Sequence, residues 1–468
     1  MASNNRLQVD TIVAISTPPG RGGIGIVRLS GARSLEIASP LLRMRHPPNH
    51  AQAQFAELID VTSSKREAGQ RLDEVVVTWF QSPHSYTRED VVEIAAHGAP
   101  VILEYVLRSC IERGARLARP GEFTERAFLS GRIDLTQAEA VRDLIEAQTL
   151  YQAKIASEQL GGALSRRIAP VKQALVGLIA ELEAGIDFAE DDIDLLPAQT
   201  IATRIAEFAG PLHALAAGFV YGRIVRDGFS LAIAGRPNAG KSSLFNRLVQ
   251  RERAIVTSTP GTTRDLVTET IGLGGIPLHL IDTAGLREAE NEAESIGIEK
   301  SREALADADV VLLVLDATAA SFTAEEAAML DLLPARRGLV VSNKTDLPQN
   351  LAMLKETERR LKGATPVLFT SALTGEGIPA LRAGILNLMR ADARETENGL
   401  MTNLRQQQAV ASALRALQDA QSATAANIPH EMLLLDLYSA LQHLDALTGA
   451  TTADDILNLI FSTFCIGK

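Results

Sequence analysis

One octapeptide constrains this chain more than any other stretch: GRPNAGKS at 235–242, set between the apolar run SLAIA and the helical run SLFNRLVQ. It fits G-x-x-x-x-G-K-S in a strand–loop–helix setting. There, glycines let successive backbone N–H groups wrap around phosphates, and the helix N-terminus adds a favourable dipole. Asn238, Ala239, Gly240 and Ser243 would line such a loop. Lys241 can neutralise β- and γ-phosphate charge, and the Ser242 hydroxyl can ligate Mg²⁺. The surroundings suit it. From 228 to about 388, short apolar strands (SLAIAG, LHLID, VVLLVLD, LVVSNKTD and VLFTSA) alternate with helical segments, the pattern of a parallel α/β sheet.

Three further segments follow strands of that sheet in a fixed order. IDTAG (281–285) supplies Asp282 for a Mg²⁺ shell, with Thr283 and Ala284 leading to Gly285, whose N–H can sense a γ-phosphate. NKTD (343–346) brings Asn343, Lys344 and Asp346. The Asp346 carboxylate can accept from both N1–H and the 2-amino group of guanine, which adenine lacks. SAL (371–373) brings Ser371 and Ala372, able to add a backbone contact to the base oxygen. Each segment alone is weak. Together, at the carboxyl ends of strands, they specify a GTPase. Leu286 stands where Ras-like enzymes carry a water-orienting Gln, so catalysis must draw on another group, with candidates in REAENEAESIGIEK (287–300). The amide of Asn238 can hold a monovalent cation near the phosphates, with carbonyl ligands from VTSTPGTTRD (256–265), while Thr263 can reach Mg²⁺. A loop-stabilising hydrogen bond explains Asn238 equally well.

At roughly 150 residues per domain, 468 residues predict about three domains. With 46% hydrophobic and 22% charged residues the chain can bury sizeable cores, which excludes a wholly disordered protein. Residues 1–125 mix β-rich runs (TIVAIS at 11–16, GIGIVRLSG at 23–31, LDEVVVTWF at 72–80) with glycine and proline turns. Residues 126–227 read as helical: Ala138, Val141, Leu144 and Ile145 share one face, as do Val171, Leu175, Leu178, Ile179 and Leu182. After the α/β segment 228–390, residues 391–468 turn helical again, with Leu434, Leu437, Tyr438, Leu441 and Leu444 on one face. The simplest organisation is a helical domain with an α/β domain inserted into it. The acidic run FAEDDID (188–194) reads as a solvated loop.

A net charge of −11 argues against a basic coat for DNA packaging, but not against a local RNA-binding patch. Aromatics at 4% disfavour a sheet of base-stacking rings. Two cysteines, Cys110 and Cys465, make neither a disulfide framework nor a four-thiolate zinc site. The first residues lack a basic start followed by a long apolar run, and no apolar stretch is long enough to span a bilayer. The expectation is a cytoplasmic protein without a membrane span.

The whole chain resembles one family, the bacterial tRNA-modifying GTPases called MnmE or TrmE. The resemblance is carried by TPPGRGGIGIVRLSG (17–31), SYTREDVVEIAAHG (85–98), RPGEFTERAFLSGRIDLTQAEAV (119–141), GRPNAGKSSLFN (235–246), GTTRD (261–265), DTAGLRE (282–288) and FCIGK (464–468). The first three and the last are far more specific than the nucleotide motifs, which many families share. The resemblance implies a multidomain α/β chain: an N-terminal α+β folate-binding domain, a central helical domain, and an inserted Ras-like P-loop GTPase domain with a doubly wound, mostly parallel sheet. It implies a homodimer that joins a FAD-binding partner, MnmG (GidA), in a heterotetramer. Together they would add an aminomethyl or carboxymethylaminomethyl group at C5 of the wobble uridine of certain tRNAs. The implied cofactors are GTP, Mg²⁺, K⁺ and a 5-formyl- or methylene-tetrahydrofolate. By position, Asn238, Thr257, Thr259 and Thr262 resemble the potassium ligands, with Thr257 and Thr262 also counted to the GTP site. Ser242 and Thr263 resemble the Mg²⁺ ligands, and Glu294 the acid that organises the hydrolytic water. Arg28, Glu93, Arg132 and Lys468 resemble the folate contacts. The family pattern carries Lys where this chain has Arg132; charge is kept and donor geometry changes.

Read without the resemblance, PPGRGGIGIV lacks GK[ST] and leads into a strand, Arg28 is a surface residue, and Glu93 is an ion-pair partner in a strand. Cys465, beside Phe464 and Ile466, is either a small buried hydrophobe or a reactive thiol near Lys468 that serves as a catalytic group. Two other functions compete: a GTP-dependent ribosome or RNA assembly factor, and a folate-dependent one-carbon enzyme with a regulatory G domain. Assembly factors usually append a basic RNA-binding module, and neither flank here is basic or aromatic enough to suggest one.

Overall fold

The computed structural model describes residues 10–61, 69–187, 196–249, 268–282, 308–390, 401–426 and 428–450, together with Phe464 and Gly467. The chain divides into two compact units, Met1–Arg142 with Asp445–Lys468, and Asp143–Leu444.

The first unit is built on a seven-stranded sheet. Its strands are β1 (Ile12–Ile15), β2 (Gly22–Ser30), β3 (Leu42–Met44), β4 (Ala53–Ile59), β5 (Arg71–Phe80), β6 (Val91–Gly98) and β7 (Arg116–Leu117), in the order β3-β4-β5-β6-β2-β1-β7. All pairings are antiparallel except β1 with β7. Alternation fixes the buried face: Val27 and Leu29 of β2, Val75 and Val77 of β5, and Val92, Ile94 and Ala96 of β6 enter one core. The helix Pro100–Glu112 supplies Leu103, Val106 and Cys110 to it, with proline at the first position, where a missing N–H costs nothing. Burial pushes the Cys110 thiol up to about 12, so it behaves as an inert small hydrophobe. The three expected strands lie within a residue or two of their predicted ends. β3 escaped the reading because it is three residues long, and β4 because Gln54 shares the inward side with Ala56 and Leu58 while Phe55 stands 83% exposed on the outward side.

In the second unit six strands form another sheet: β8 (Phe229–Ala234), β9 (Thr268–Leu273), β10 (Ile276–Asp282), β11 (Val310–Asp316), β12 (Gly338–Asn343) and β13 (Val367–Thr370). Their order is β13-β12-β11-β8-β10-β9, parallel throughout except for the hairpin β9–β10. Strand β11 is buried along its whole length, and its alternate residues serve opposite layers. Val310, Leu312 and Val314 join the core that holds Leu244, Leu248, Leu381 and Ile385 from the helices Lys241–Val249 and Ile378–Arg390. Val311, Leu313 and Leu315 join the other, with Leu330, Met353 and Leu361 from the helices Ala324–Leu332 and Leu351–Leu361. Helices on both faces make the sheet doubly wound, as expected. The hairpin strand β9 was not anticipated.

Five helices precede or flank this sheet: Leu150–Leu160, Ala163–Asp187, Ala198–Ala217, Phe219–Asp227 and Leu404–Ala425. Val171, Leu175, Leu178, Ile179 and Leu182 are buried along one face, as their spacing predicts. Two expected faces need correction. Ile145 is 44% exposed although Ala138 is buried, and Tyr438 is 44% exposed although Leu434, Leu437 and Leu444 are buried. Both lie at the rim of their stripe; the Tyr438 hydroxyl donates outward to Glu183. Among the described residues no helix is long and apolar enough to cross a membrane, and no group of three or more His, Cys, Asp or Glu could hold a metal ion.

Several expectations lie outside the described residues: Thr257, Thr259, Thr262, Thr263, Thr283, Ala284, Gly285, Leu286, Glu294, Cys465, Lys468, the side chain of Asp282, and the acidic run 188–194.

Candidate functional sites

Strand β8 sends the chain one way to β10 and β9, while β11 begins the other half of the sheet, so strand order reverses between β8 and β11. Ligands of open α/β sheets bind at that switch, beyond the carboxyl ends of the strands. GRPNAGKS leaves β8 at this point and enters the helix Lys241–Val249. Two glycines are required by space as well as by backbone angle. A Cβ on Gly235 (φ +139) would lie 2.2 Å from the Val314 carbonyl oxygen, and one on Gly240 (φ +94) would lie 2.2 Å from the Asn343 amide nitrogen. Asn238, at φ +62, takes a left-handed conformation that Asn tolerates better than most residues. Its side chain is exposed and makes no hydrogen bond to another described residue. Lys241 is buried and its ammonium donates to the carbonyls of Gly235 (2.8 Å) and Arg236 (2.9 Å), folding back over the loop. Ser242 and Ser243 are exposed in the first helical turn.

Asn343 ends β12 and is the hub of the site. Its Nδ2 donates to the Ala239 carbonyl (2.9 Å), and its Oδ1 accepts from the Ala372 N–H (3.0 Å) and the Thr370 hydroxyl (3.2 Å). One side chain therefore ties the phosphate loop to the segment after β13. Within SAL, expected to add a backbone contact to a base oxygen, the Ala372 N–H is engaged by Asn343 here. Asp346 is exposed, with Oδ1 accepting from the buried Ser371 hydroxyl at 2.5 Å. Arg247, from the helix after the phosphate loop, clamps the Ala372 carbonyl (2.8 Å) and the Leu373 carbonyl.

Sequence reasoning missed Asp316. It ends β11, paired in register with Asn343, and its Oδ2 accepts from the Lys344 ammonium at 2.7 Å. Its Oδ1 accepts from the Thr318 N–H and hydroxyl, and Arg236 of the phosphate loop approaches to 3.8 Å. Burial alone would raise the Asp316 carboxyl, but Lys344 and Thr318 outweigh it and hold it below its ordinary value. An acid ending an apolar strand gave no signal by itself.

A second site lies in the first unit, where β2 and β6 pair Arg28 directly with Glu93. Arg28 Nε and Nη2 reach Glu93 Oε1 at 2.8 and 2.7 Å, and both side chains are about one quarter exposed, so Arg28 is not the surface residue expected. Its guanidinium lies 5.7 Å from the Phe123 ring centre and 6.0 Å from that of Tyr86. Arg132 stands 5.0 Å from the centre of the Tyr86 ring and donates to the Tyr86 carbonyl. A cavity of about 490 Å³ opens here, lined among others by Phe80, His84, Tyr86, Glu93 and Arg132. Burial pushes the Tyr86 phenol up, against the pull of Thr124, Arg132 and Arg28, so it stays a neutral hydroxyl. Tyr86, which lines the cavity, and Phe123, buried behind Arg28, are the rings that residue-by-residue reading missed, although both sit in the family-specific segments. Three of the four expected folate contacts (Arg28, Glu93 and Arg132) thus come together. In the same unit, the Ser16 hydroxyl donates to the Gly467 carbonyl (3.0 Å), and Phe464 packs with Leu135 and Ala138. A Cβ on Gly467 (φ +99) would lie 2.5 Å from the Ile15 carbonyl oxygen.

A family model described as "MnmE helical domain" matches residues 135–465, and one described as "GTP-binding protein TrmE N-terminus" matches residues 11–132. The chain is similar to proteins named tRNA modification GTPase MnmE. It is 57% identical to the one from Koribacter versatilis, over 98% of this chain and 99% of that protein. It is 42% identical to the one from Geotalea uraniireducens, with the same coverage. Among solved structures, the G domain of the T. maritima FeoB protein is 30% identical, over 34% of this chain and 98% of that one, with a TM-score of 0.25.

Proposed function

The chain belongs to the MnmE family, and from that premise we propose that it binds and hydrolyses GTP as a step in tRNA modification. The observation that carries the nucleotide reading is Asn343. Its amide holds the phosphate loop, the NKTD loop and the segment after β13 around one crevice at the strand-order switch. Lys241 would leave its loop carbonyls to neutralise the phosphates, and Asp346, oriented by Ser371, would accept from the guanine edge.

Exposed Ser242 fits a Mg²⁺ ligand, with Thr263 as the second; the ion supplies charge neutralisation at the phosphates. Asn238, exposed and without a hydrogen bond to another described residue, fits a K⁺ ligand, with Thr257, Thr259 and Thr262 as the proposed further ligands. That cation supplies the positive charge an arginine finger brings elsewhere. Glu294 orients the hydrolytic water, a task Leu286 cannot perform. Pairing of two G domains across their switch segments in a homodimer would bring Glu294 into place.

The cavity of the first unit fits a tetrahydrofolate derivative. Ring faces suit a flat heterocycle, Glu93 suits its N–H donors, and Arg132, which has no carboxylate partner among the described residues, suits a ligand carboxylate. The bound folate would supply the one-carbon unit. Lys468 would join the contacts and Cys465 would act near them. We assign 1–125 to this folate-binding domain, 126–227 and 391–468 to a helical domain, and 228–390 to the inserted G domain. With a FAD-binding partner, MnmG, in a heterotetramer, the product is an aminomethyl or carboxymethylaminomethyl group at C5 of the wobble uridine. The work takes place in the cytoplasm, where the tRNA is.

Nucleoside analysis of tRNA from cells lacking the protein tests the whole. Loss of C5-substituted wobble uridine is expected; normal tRNA with defective ribosomal subunits would favour an assembly factor instead. The cation is tested separately. GTP turnover should rise severalfold or more when K⁺ replaces Na⁺, and equal rates would remove Asn238 and its neighbours from the mechanism.

A further inference from the structure

The Lys344 backbone sits at φ +69, a left-handed conformation uncommon for a side-chain-bearing residue, at the end of β12. Its ammonium is bonded at 2.7 Å to Asp316, at the end of the neighbouring strand β11. The side chain is thus fixed at both ends, and its methylene stem bridges two strand ends at the edge where the nucleotide site lies. Asp316 is itself fixed. It is 9% exposed, and Thr318 donates twice to its other oxygen. Among the described residues the remaining charged group facing it is Arg236 at 3.8 Å, which also stands 3.7 Å from the buried Glu326.

We propose that Asp316 is a positioning residue for the base: it pins the Lys344 stem as a preformed apolar wall between the phosphate loop and Asp346. The proposal rests on the GTP reading of this crevice. A lysine stem is apolar along its methylenes and flexible when free, so a ligand packing against it must first order it. With the ammonium pinned beforehand, that ordering cost is met before the ligand arrives. Asp346 selects guanine, whereas Asp316 would raise affinity for any base that stacks on the wall. The two acids therefore make separable predictions.

The test is calorimetric titration of the full chain with GDP and with xanthosine diphosphate. It uses wild type, Asp316→Asn, Lys344→Met and the double variant, with steady-state GTP hydrolysis alongside. Asp316→Asn should weaken GDP by roughly three- to tenfold, the range expected for ordering one long side chain. The GDP-to-xanthosine ratio should stay as in wild type, and the loss should fall on KM rather than kcat. Lys344→Met should weaken GDP by a similar factor, and the double variant should be no weaker than Lys344→Met alone. Asp316→Asn binding GDP like wild type overturns the proposal. So does a full additional loss on top of Lys344→Met, which would place the role of Asp316 in its Thr318 turn. Should Asp316→Asn not fold, Lys344→Met decides: unchanged GDP affinity overturns the proposal. If wild type binds no guanine nucleotide, the GTP reading itself fails; if wild type binds and the variants match it, only the positioning role falls.

Discussion

The two sites are assembled in opposite ways. In the α/β region each functional group sits in a short contiguous motif, and each motif follows a strand whose carboxyl end points at the same crevice. In the first unit the groups are cross-strand and cross-element neighbours. Arg28 and Glu93 are 65 residues apart and meet because β2 and β6 are antiparallel. Tyr86, Phe123 and Arg132 arrive from a loop, a helix and a turn. A parallel sheet turns sequence motifs into a site automatically, whereas an antiparallel site exists only once the register is set.

That contrast can be broken or sharpened by substitution. The largest effect is expected in the first unit, where Arg126, with a side chain 3% exposed, pairs with Glu122, Asp10 and Glu89. Asp10 and Glu122 keep Arg116, while Glu89 loses its ion pair, so Arg126→Ala should cost about 3 kcal/mol in denaturant unfolding, the low end for breaking a buried pair. Burial pushes the Asp10 and Glu122 carboxyls up, but Arg116 and Arg126 outweigh it and hold both below their ordinary 3.8 and 4.5. Their contribution is therefore present above about pH 4.5 and is lost as pH falls through the lowered values. Acid titration of the wild type should be steeper there than that of Arg126→Ala. Guanine-nucleotide affinity of the variant, measured where it is folded, should be unchanged. A loss there would mean that the sites are not independent.

Next in size, Lys241→Ala should slow GTP hydrolysis by roughly a hundredfold or more, the usual scale for removing a preorganised charge from a transition state. Binding of a reduced folate, followed by fluorescence, should stay at the wild-type level. Asp346→Asn should cost about 1.5–3 kcal/mol in GTP binding, the worth of a hydrogen bond to a charged group. Xanthosine triphosphate should gain instead, since its carbonyl replaces the amino group. Unchanged GTP affinity would refute the guanine assignment. The smallest effect should come from Arg132→Lys, which restores the residue type of the family pattern. Charge is kept and the stacked guanidinium over Tyr86 is lost, so folate affinity should change by about 0.5–1 kcal/mol. A change above tenfold would make Arg132 more than a cation at the rim.

The same contrast explains how far the sequence could be read. Asn343, Lys344 and Asp346 were found because they share one four-residue run, whereas the role of Asp316 depends on β11 lying beside β12. The hairpin strand β9 was missed because glutamate and threonines dilute its apolar residues, and β4 for a similar reason. Ile145 and Tyr438 fit a helical stripe by spacing, but spacing does not say how wide a face the neighbours cover. In the first unit, β1, β2 and β5 were legible to within a residue or two and the other four strands were not delimited, while the meeting of Arg28, Glu93 and Arg132 was legible only through the family resemblance.

The hydrogen bond from Ser16 to Gly467 spans 451 positions, and Phe464 seats against Leu135 and Ala138. Between these partners lies the whole second unit, Asp143–Leu444. On the ribosome, at roughly 5–20 residues per second, those residues take on the order of 15–60 s to make. All seven strands of the first unit's sheet are synthesised before that interval, so the sheet can set its register early. The patch around Leu135 and the Ser16 hydroxyl must wait for their partners until Phe464 and Gly467 emerge. The nascent chain thus carries a timed vulnerability: a pause within the second unit lengthens the exposure of the first, and chaperones have a defined period in which to shield it.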